Sequence, residues 1–267
     1  PALPAPDWQP YQGLYGSREV IHPEAGTCFI CEGRYLVEEA LKAARLGTLR
    51  VLSVLTTPRT ASAFEAQLPE GARLLVAGEE TLEQLLGFAF HRGVLCCVQR
   101  PADPSEAVIL AARRLVVLPR LDNVDNLGQL LRTAAALGLD AVLVGQGPGP
   151  FERRTVRVSM GAAWRIPVLQ TEHSETWLER WRRHAPGEVV GAALVDTALE
   201  AQTWQPLART ALVLGPEDKG LDAAWLARCD RHVVIPMVRG MDSLNVAAAG
   251  AILMHRMTTA GMLAEPE

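Results

Sequence analysis

The chain has 267 residues, 49% of them hydrophobic, so it is long enough to bury a sizeable core and two domains are expected rather than one. A formal net charge of −4 excludes a molecule-wide basic field, and any nucleic-acid partner must be held by local patches. No apolar run reaches about 18 residues and the first 25 lack the basic start and apolar core of a signal peptide, so a cytoplasmic protein without membrane or leader is expected.

In chain order, residues 1 to 25 read as an arm. Glu32 to Ala44 has Leu36, Val37, Ala40, Leu41 and Ala44 at helical spacing, and Gly47 closes that helix. Strands are expected at 49–55, 73–76 and 94–98 and helices at 60–68 and 79–86, an alternation that describes a small α/β unit of its own. The five cysteines, at 28, 31, 96, 97 and 229, fit buried reduced thiols. Cys28 and Cys31 have zinc-knuckle spacing, but the residues between them are bulky and apolar and no companion His lies close, so no metal site is expected.

Pro101-Ala-Asp-Pro104-Ser breaks the pattern and places a linker at 101–110. A second unit, 111–267, follows. It starts with a strand at 115–118, a helix from Leu127 to Gly138 and a strand at 141–145. A helical stretch over 152–164, a strand at 166–169, a helix at 174–184, strands at 189–194 and 211–214 and a helix at 222–229 continue the alternation. This is the pattern of a mostly parallel α/β sheet covered on both faces. Trp177 and Trp181, four apart, read as core. The glycines of Gly145-Gln-Gly147-Pro-Gly149-Pro150 follow a strand, but two prolines remove amide donors that a dinucleotide cradle needs, and that reading is rejected.

Three stretches carry chemistry. In the helix after the 115–118 strand, Arg132 lies one turn above Gly128 and leans toward Asn126. Leu212-Val-Leu-Gly215-Pro-Glu217-Asp-Lys-Gly220-Leu221 is a buried strand entering a turn whose glycines permit close backbone approach to a ligand. Val233-Val-Ile235-Pro-Met237 leads through Asp242-Ser243-Leu244-Asn245 into a last helix, with Asp242 or Ser243 as its cap. Loops leaving the carboxyl ends of parallel strands meet in the crevice where such folds bind ligands.

Taken together and in this order, Asn126-x-Gly128-x-x-x-Arg132, Leu214-Gly215-x-Glu217-x-x-Gly220-Leu221 and Ile235-Pro-Met237 with Ser243-Leu-Asn245-Val resemble the signature motifs of the SpoU (TrmH) family of RNA methyltransferases. Val156-Arg157-Val158-Ser159-Met160-Gly161 and Ile166-Pro-Val168 resemble the family's segment between the first two motifs. Cys31-Glu32-Gly33 and His91-Arg92-Gly93 resemble the ends of its substrate domain. Departures are Pro216, Asp218-Lys219 and Ala247.

The resemblance implies a trefoil-knotted (SPOUT) α/β domain preceded at 26–100 by an L30e-like RNA-binding domain. It implies transfer of a methyl group from S-adenosylmethionine to a ribose 2′-hydroxyl of tRNA or rRNA. By the same resemblance Asn126, Arg132, Glu217, Ser243 and Asn245 form the catalytic set, and Leu194, Leu214, Gly215, Ile235, Met237 and Leu244 hold the cofactor. An arginine is a poor base, so Arg132 is assigned to the neighbouring phosphate and the developing alkoxide. Of the basic clusters at Arg113-Arg114, Arg153-Arg154-Arg157 and Arg180-Arg182-Arg183, Arg153 and Arg157 are the expected RNA contacts. A homodimer is expected from the small residues Ala247 to Ala251 of the last helix. The alternative reading is a non-catalytic RNA-binding or ribosome-assembly factor on the same scaffold.

Overall fold

The computed structural model describes residues 6–14, 19–91, 93–216, 218–241 and 243–259. The strands are β1 (Val20–His22), β2 (Gly26–Glu32), β3 (Arg50–Thr56), β4 (Arg73–Val76), β5 (Val94–Gln99) and β6 (Arg114–Arg120), then β7 (Ala141–Gln146), β8 (Val168–Gln170), β9 (Glu188–Ala192), β10 (Leu199–Glu200), β11 (Thr210–Val213) and β12 (Arg231–Val234). The helices are α1 (Arg34–Arg45), α2 (Pro58–Glu65), α3 (Glu79–Leu86), α4 (Glu106–Ala111), α5 (Val124–Ala136), α6 (Arg153–Val158), α7 (Ser174–His184), α8 (Ala223–Leu226) and α9 (Val246–Thr259). None is long and apolar enough to cross a membrane. The chain divides into two compact units.

The first unit takes the residues up to Ala102 together with Phe151–Gly161. Its five-stranded sheet has the order β1-β2-β5-β3-β4, antiparallel except for the β3–β4 pair. The described residues of the expected arm, 6–14 and 19–25, are part of this unit. A 3-10 turn at Pro6–Tyr11 buries Tyr11 completely, and its hydroxyl meets the Ser53 hydroxyl at 3.0 Å. Buried Asp7 accepts from Arg73 at 2.6 Å, and β1 pairs with β2. Helix α1 starts two residues later than expected because Glu32 still pairs with Leu95 and Gly33 turns the chain at φ 93. All five cysteines are free, and four of them are buried. Among the described residues no cluster of His, Cys, Asp and Glu could hold a metal ion.

Residues 151–161 belong with this unit although they interrupt the second in sequence, which an unbroken division at 101–110 does not capture. Phe151 stacks against Phe29 with ring centroids 5.1 Å apart, and Glu32 receives Arg157 at 3.4 Å and Arg153 at 3.9 Å. The helix expected over 152–164 breaks because Met160 and Gly161 both adopt positive φ, 53° and 81°, which a right-handed helix cannot continue through.

The second unit is built on a seven-stranded sheet of order β10-β12-β9-β11-β6-β7-β8, parallel at every pairing. One face, with Leu115, Val117, Leu143 and Val213, packs against Leu178 and Trp181 of α7 and Ile109 of α4. Trp181 is fully buried and donates from Nε1 to the Ala112 carbonyl at 2.8 Å, as its core reading requires. Strand alternation turns Val116, Leu118 and Leu212 to the other face.

Helix α5 starts at Val124, earlier than the periodicity alone suggested, because the Asn123 side chain caps it by accepting from Asp125 N. Helix α9 packs against α5 at Gly250, where a Cβ would lie 2.4 Å from a Leu130 methyl and 3.0 Å from a Leu214 methyl. The small residues of α9 therefore serve, at Ala247 and Gly250, a close approach inside the same chain. Ala248 of the same run stays exposed. The spaced glycines at the end of β7 also have an internal use. A Cβ at Gly145 would sit 1.9 Å from the Pro119 carbonyl oxygen and one at Gly147 1.9 Å from that of Leu121, so they let the exit of β6 pass at backbone contact.

Candidate active site

Because all seven strands run the same way, the exits of β9, β11 and β12 emerge side by side. They open into a cavity of about 420 Å³. Leu194 lies on the loop after β9, Leu214 and Gly215 follow β11, and Ile235 and Met237 follow β12. Ser243 and Leu244 close the rim, and Val246, Ala249 and Leu253 line the wall from α9 at helical spacing. All six residues expected to hold a cofactor thus surround one cavity. Leu194 and Leu244 stay exposed at its edge, while Leu214 is buried.

The turn after β11 also needs its glycine for an internal contact. A Cβ on Gly215 would lie 2.5 Å from the Gly220 carbonyl carbon and 2.6 Å from Leu221 N, so the residue lets the chain fold back on itself. Gly220 turns the loop at φ 64. Asp218 and Lys219, which the sequence reading noted only as departures, line the cavity and are its charged side chains among the described residues. Glu217 lies outside the described residues, as does Asp242.

Beside the cavity, two asparagines from distant stretches meet. Asn245 rather than Ser243 caps α9, with Oδ1 accepting from Ala247 N at 2.9 Å and Ala248 N at 3.3 Å. That bond orients the amide, and Nδ2 donates to Asn126 Oδ1 at 3.0 Å. Asn126 is 3% exposed, and its own Nδ2 has no hydrogen-bond partner among the described residues. A buried amide donor left unpaired costs about 1–3 kcal/mol, a cost that a ligand acceptor would remove. Ser243 is exposed on the cavity rim, and Arg132 is exposed on α5 above buried Gly128.

The model of the SpoU rRNA methylase family matches residues 113–255. An uncharacterized tRNA/rRNA methyltransferase of Mycobacterium bovis is 35% identical over 246 residues, 90% of this chain and 83% of that protein. The chain belongs to the SpoU rRNA methylase family. Another relative, the 23S rRNA (guanosine-2'-O-)-methyltransferase RlmB of Acinetobacter baylyi, is 32% identical over 80% of this chain and 90% of its own length. In fold, the SpoU methyltransferase AviRb of Streptomyces viridochromogenes, crystallised with AdoMet, superposes with a TM-score of 0.78 at 23% identity and covers 96% of this chain and 98% of its own.

The SpoU match spans the cavity, the Asn126–Asn245 contact and Arg132, all of them in the second unit. The two expected RNA contacts lie elsewhere. Arg153 and Arg157 belong to the first unit, where both face Glu32 and Arg153 covers the Phe88 ring at 4.8 Å. Burial pulls the Arg153 guanidinium below its usual range, and Glu32 ties it to β2 at 3.9 Å. Arg157, with a side chain 36% exposed, keeps a face toward solvent.

Proposed function

We propose that this SpoU protein transfers a methyl group from S-adenosylmethionine to a ribose 2′-hydroxyl of tRNA or rRNA. The observation that carries the proposal is the meeting of the first and third motifs at the mouth of an apolar cavity, through the Asn126–Asn245 bond. A cavity of about 420 Å³ with apolar walls and three sets of strand-end main-chain groups suits an adenine nucleoside of that size. Leu214, Gly215, Ile235 and Leu244 would hold it, with Leu194 and Met237 at its edges. When bound, the cofactor supplies an electrophilic methyl group on a sulfonium.

The chain's own residues then have to place a hydroxyl in line and relieve it of its proton. The Asn126 Nδ2 donor, fixed because its Oδ1 is already occupied, is suited to a ribose oxygen that gains negative charge. Ser243 and Asn245 orient the ribose beside it. Arg132 offers a guanidinium fork to the adjacent phosphate and to the developing alkoxide, and Glu217 is assigned to holding its loop.

The finer architecture belongs to the same reading. The second unit is proposed to be a SPOUT domain with a trefoil knot, by the resemblance of its three motifs to the family whose model it matches. The first is proposed to be an L30e-like substrate domain, with Arg157 as a phosphate contact. A cytoplasmic homodimer is supported by the outward face of α9, where Ala248 and Ile252 are exposed. A monomeric mass at micromolar concentration would remove the dimer from the reading.

Mapping 2′-O-methyl groups in total RNA of a deletion strain, and restoring the lost one with purified protein and cofactor, tests the function. A folded, cofactor-binding protein that methylates no cellular RNA would instead support the non-catalytic RNA-binding factor.

A further inference from the structure

The cavity occupies the carboxyl end of the parallel sheet; the opposite, amino-terminal edge collects arginines that are scattered in sequence. Arg114 and Arg231 are the first residues of β6 and β12, and Arg113 precedes β6. Arg182 and Arg183 end α7, and Arg228 follows α8. The pairings Thr210↔Arg114, Thr210↔Glu188 and Arg231↔Val190 put these starts on neighbouring strands. From β12 through β9 and β11 to β6 is three strand spacings, about 14 Å.

The carboxylates of this edge are turned to internal work. Asp140 Oδ2 accepts from Arg113 N and Arg114 N at 2.8 and 2.7 Å, and Asp230 Oδ2 accepts from Val189 N at 2.8 Å and from Arg182 at 3.0 Å. Glu188, 4% exposed, accepts from Leu207 N at 2.7 Å and from the Thr210 hydroxyl at 3.0 Å. Arg183, with a side chain 80% exposed, has only a loose partner in Glu179 at 3.6 Å. Arg113, Arg114, Arg182, Arg183, Arg228 and Arg231 therefore outnumber Asp140, Glu179, Glu188 and Asp230 at this end of the sheet, in a chain whose net charge is −4.

Helix ends account for part of the pattern, since cations at the carboxyl ends of α7 and α8 complement their dipoles. They do not account for Arg114, which opens β6, while Arg231, which opens β12 and is half exposed, has buried Glu188 at 3.8 Å. A solvated strand start needs a polar residue but not one sign of charge.

We infer that this edge is a second RNA-contacting face, which grips phosphates remote from the ribose being methylated. The inference rests on RNA being the substrate. It fits a structured RNA that reaches around the second unit rather than a short single strand held only at the cavity. A row of fixed cations holds phosphates without reading bases, so it adds affinity and orientation but no sequence preference.

The test titrates full-length protein with total tRNA and, separately, total rRNA across a salt series, comparing wild type with the triple variant Arg113→Gln/Arg114→Gln/Arg183→Gln. Each lost phosphate contact lowers the slope of log affinity against log salt by roughly 0.7–0.9, so a drop of about 2 is expected, with KM for RNA raised about tenfold and kcat unchanged. Cofactor affinity and the unfolding midpoint should stay at wild-type values. The matching triple Lys variant keeps the point charges and is expected to keep the slope; if the Gln protein does not fold, this variant and wild type with single Gln changes carry the comparison. Unchanged slope and affinity in the folded Gln variants, or a Lys variant as weak as the Gln one, would overturn the inference while leaving the methyltransferase reading intact. Wild-type protein that binds neither RNA at any salt would overturn both.

Discussion

The Arg209 guanidinium lies 3.6 Å from the centre of the Trp181 ring and donates to the carbonyls of Leu110, Trp181 and Ala185, with no carboxylate among these contacts. It closes the ends of α4 and α7 at once, and burial holds it below the usual arginine range. Arg209→Ala is expected to destabilise the protein by about 2 kcal/mol, read as a lower urea midpoint with unchanged m-value, and Lys should recover less than half because an ammonium cannot fill three carbonyls in one plane. At the site, Asn126→Ala removes the buried donor. Methylation should fall about a hundredfold or more while calorimetric cofactor affinity stays within a few-fold; equal loss of both would place Asn126 in cofactor binding instead. Cys229, whose thiol is pushed up to about 11 mainly by burial, should react slowly with iodoacetamide at pH 8 in the native state and rapidly in urea.

At the scale of elements, Asn245 does two things that one substitution separates. Its Oδ1 caps α9 and its Nδ2 orients Asn126. Asn245→Asp keeps an oxygen at the cap, where a negative charge suits the helix dipole, but supplies no donor. Stability should therefore hold within about 0.5 kcal/mol while methylation falls, whereas Asn245→Ala should lose activity and about 1 kcal/mol together. Thermal unfolding beside a single-turnover assay distinguishes the two. The α5–α9 contact is tested at Gly250, whose absent Cβ is needed at 2.4 Å from Leu130. Gly250→Val is expected to cost about 2 kcal/mol or more despite the loss of a glycine from a helix, since overpacking and β-branching outweigh that gain.

For the whole molecule, the division into two units predicts what truncation does. A chain starting at Ser105 keeps the seven-stranded sheet, the cavity and the described motif residues, so it should fold and bind cofactor but lose RNA affinity. It also strands residues 151–161. Phe151 is 4% exposed and Val156 fully buried in the first unit, and without that unit both meet water. The truncated chain should therefore aggregate more than the full one, and Phe151→Ser should relieve this without touching cofactor binding. Light scattering and calorimetry on the pair check the outcome. Full methylation by the truncated chain would overturn the substrate-domain assignment.

The α/β alternation was legible in the sequence because buried parallel strands are short apolar runs and their helices show one apolar stripe; helix α7 matches its expected 174–184 span. The three motifs were legible for the same local reason: each is one strand end with its loop. What the sequence did not decide is everything set by contacts between distant stretches. The cap of α9 fell to Asn245 because its amide also reaches Asn126, 119 positions away, a choice no local preference encodes. Residues 6–14 and 19–22 fold into the first unit because Tyr11 finds Ser53, Asp7 finds Arg73 and β1 finds β2, and segment 151–161 joins it because Phe29 and Glu32 are there. Small residues in α9 and glycines at the end of β7 announced a close approach, but not to what; the packing brings Gly250 to Leu130, Gly145 to Pro119 and Gly147 to Leu121. Local pattern fixed which elements exist, and tertiary contact decided which of their side chains are spent on holding the fold and which are left for a ligand.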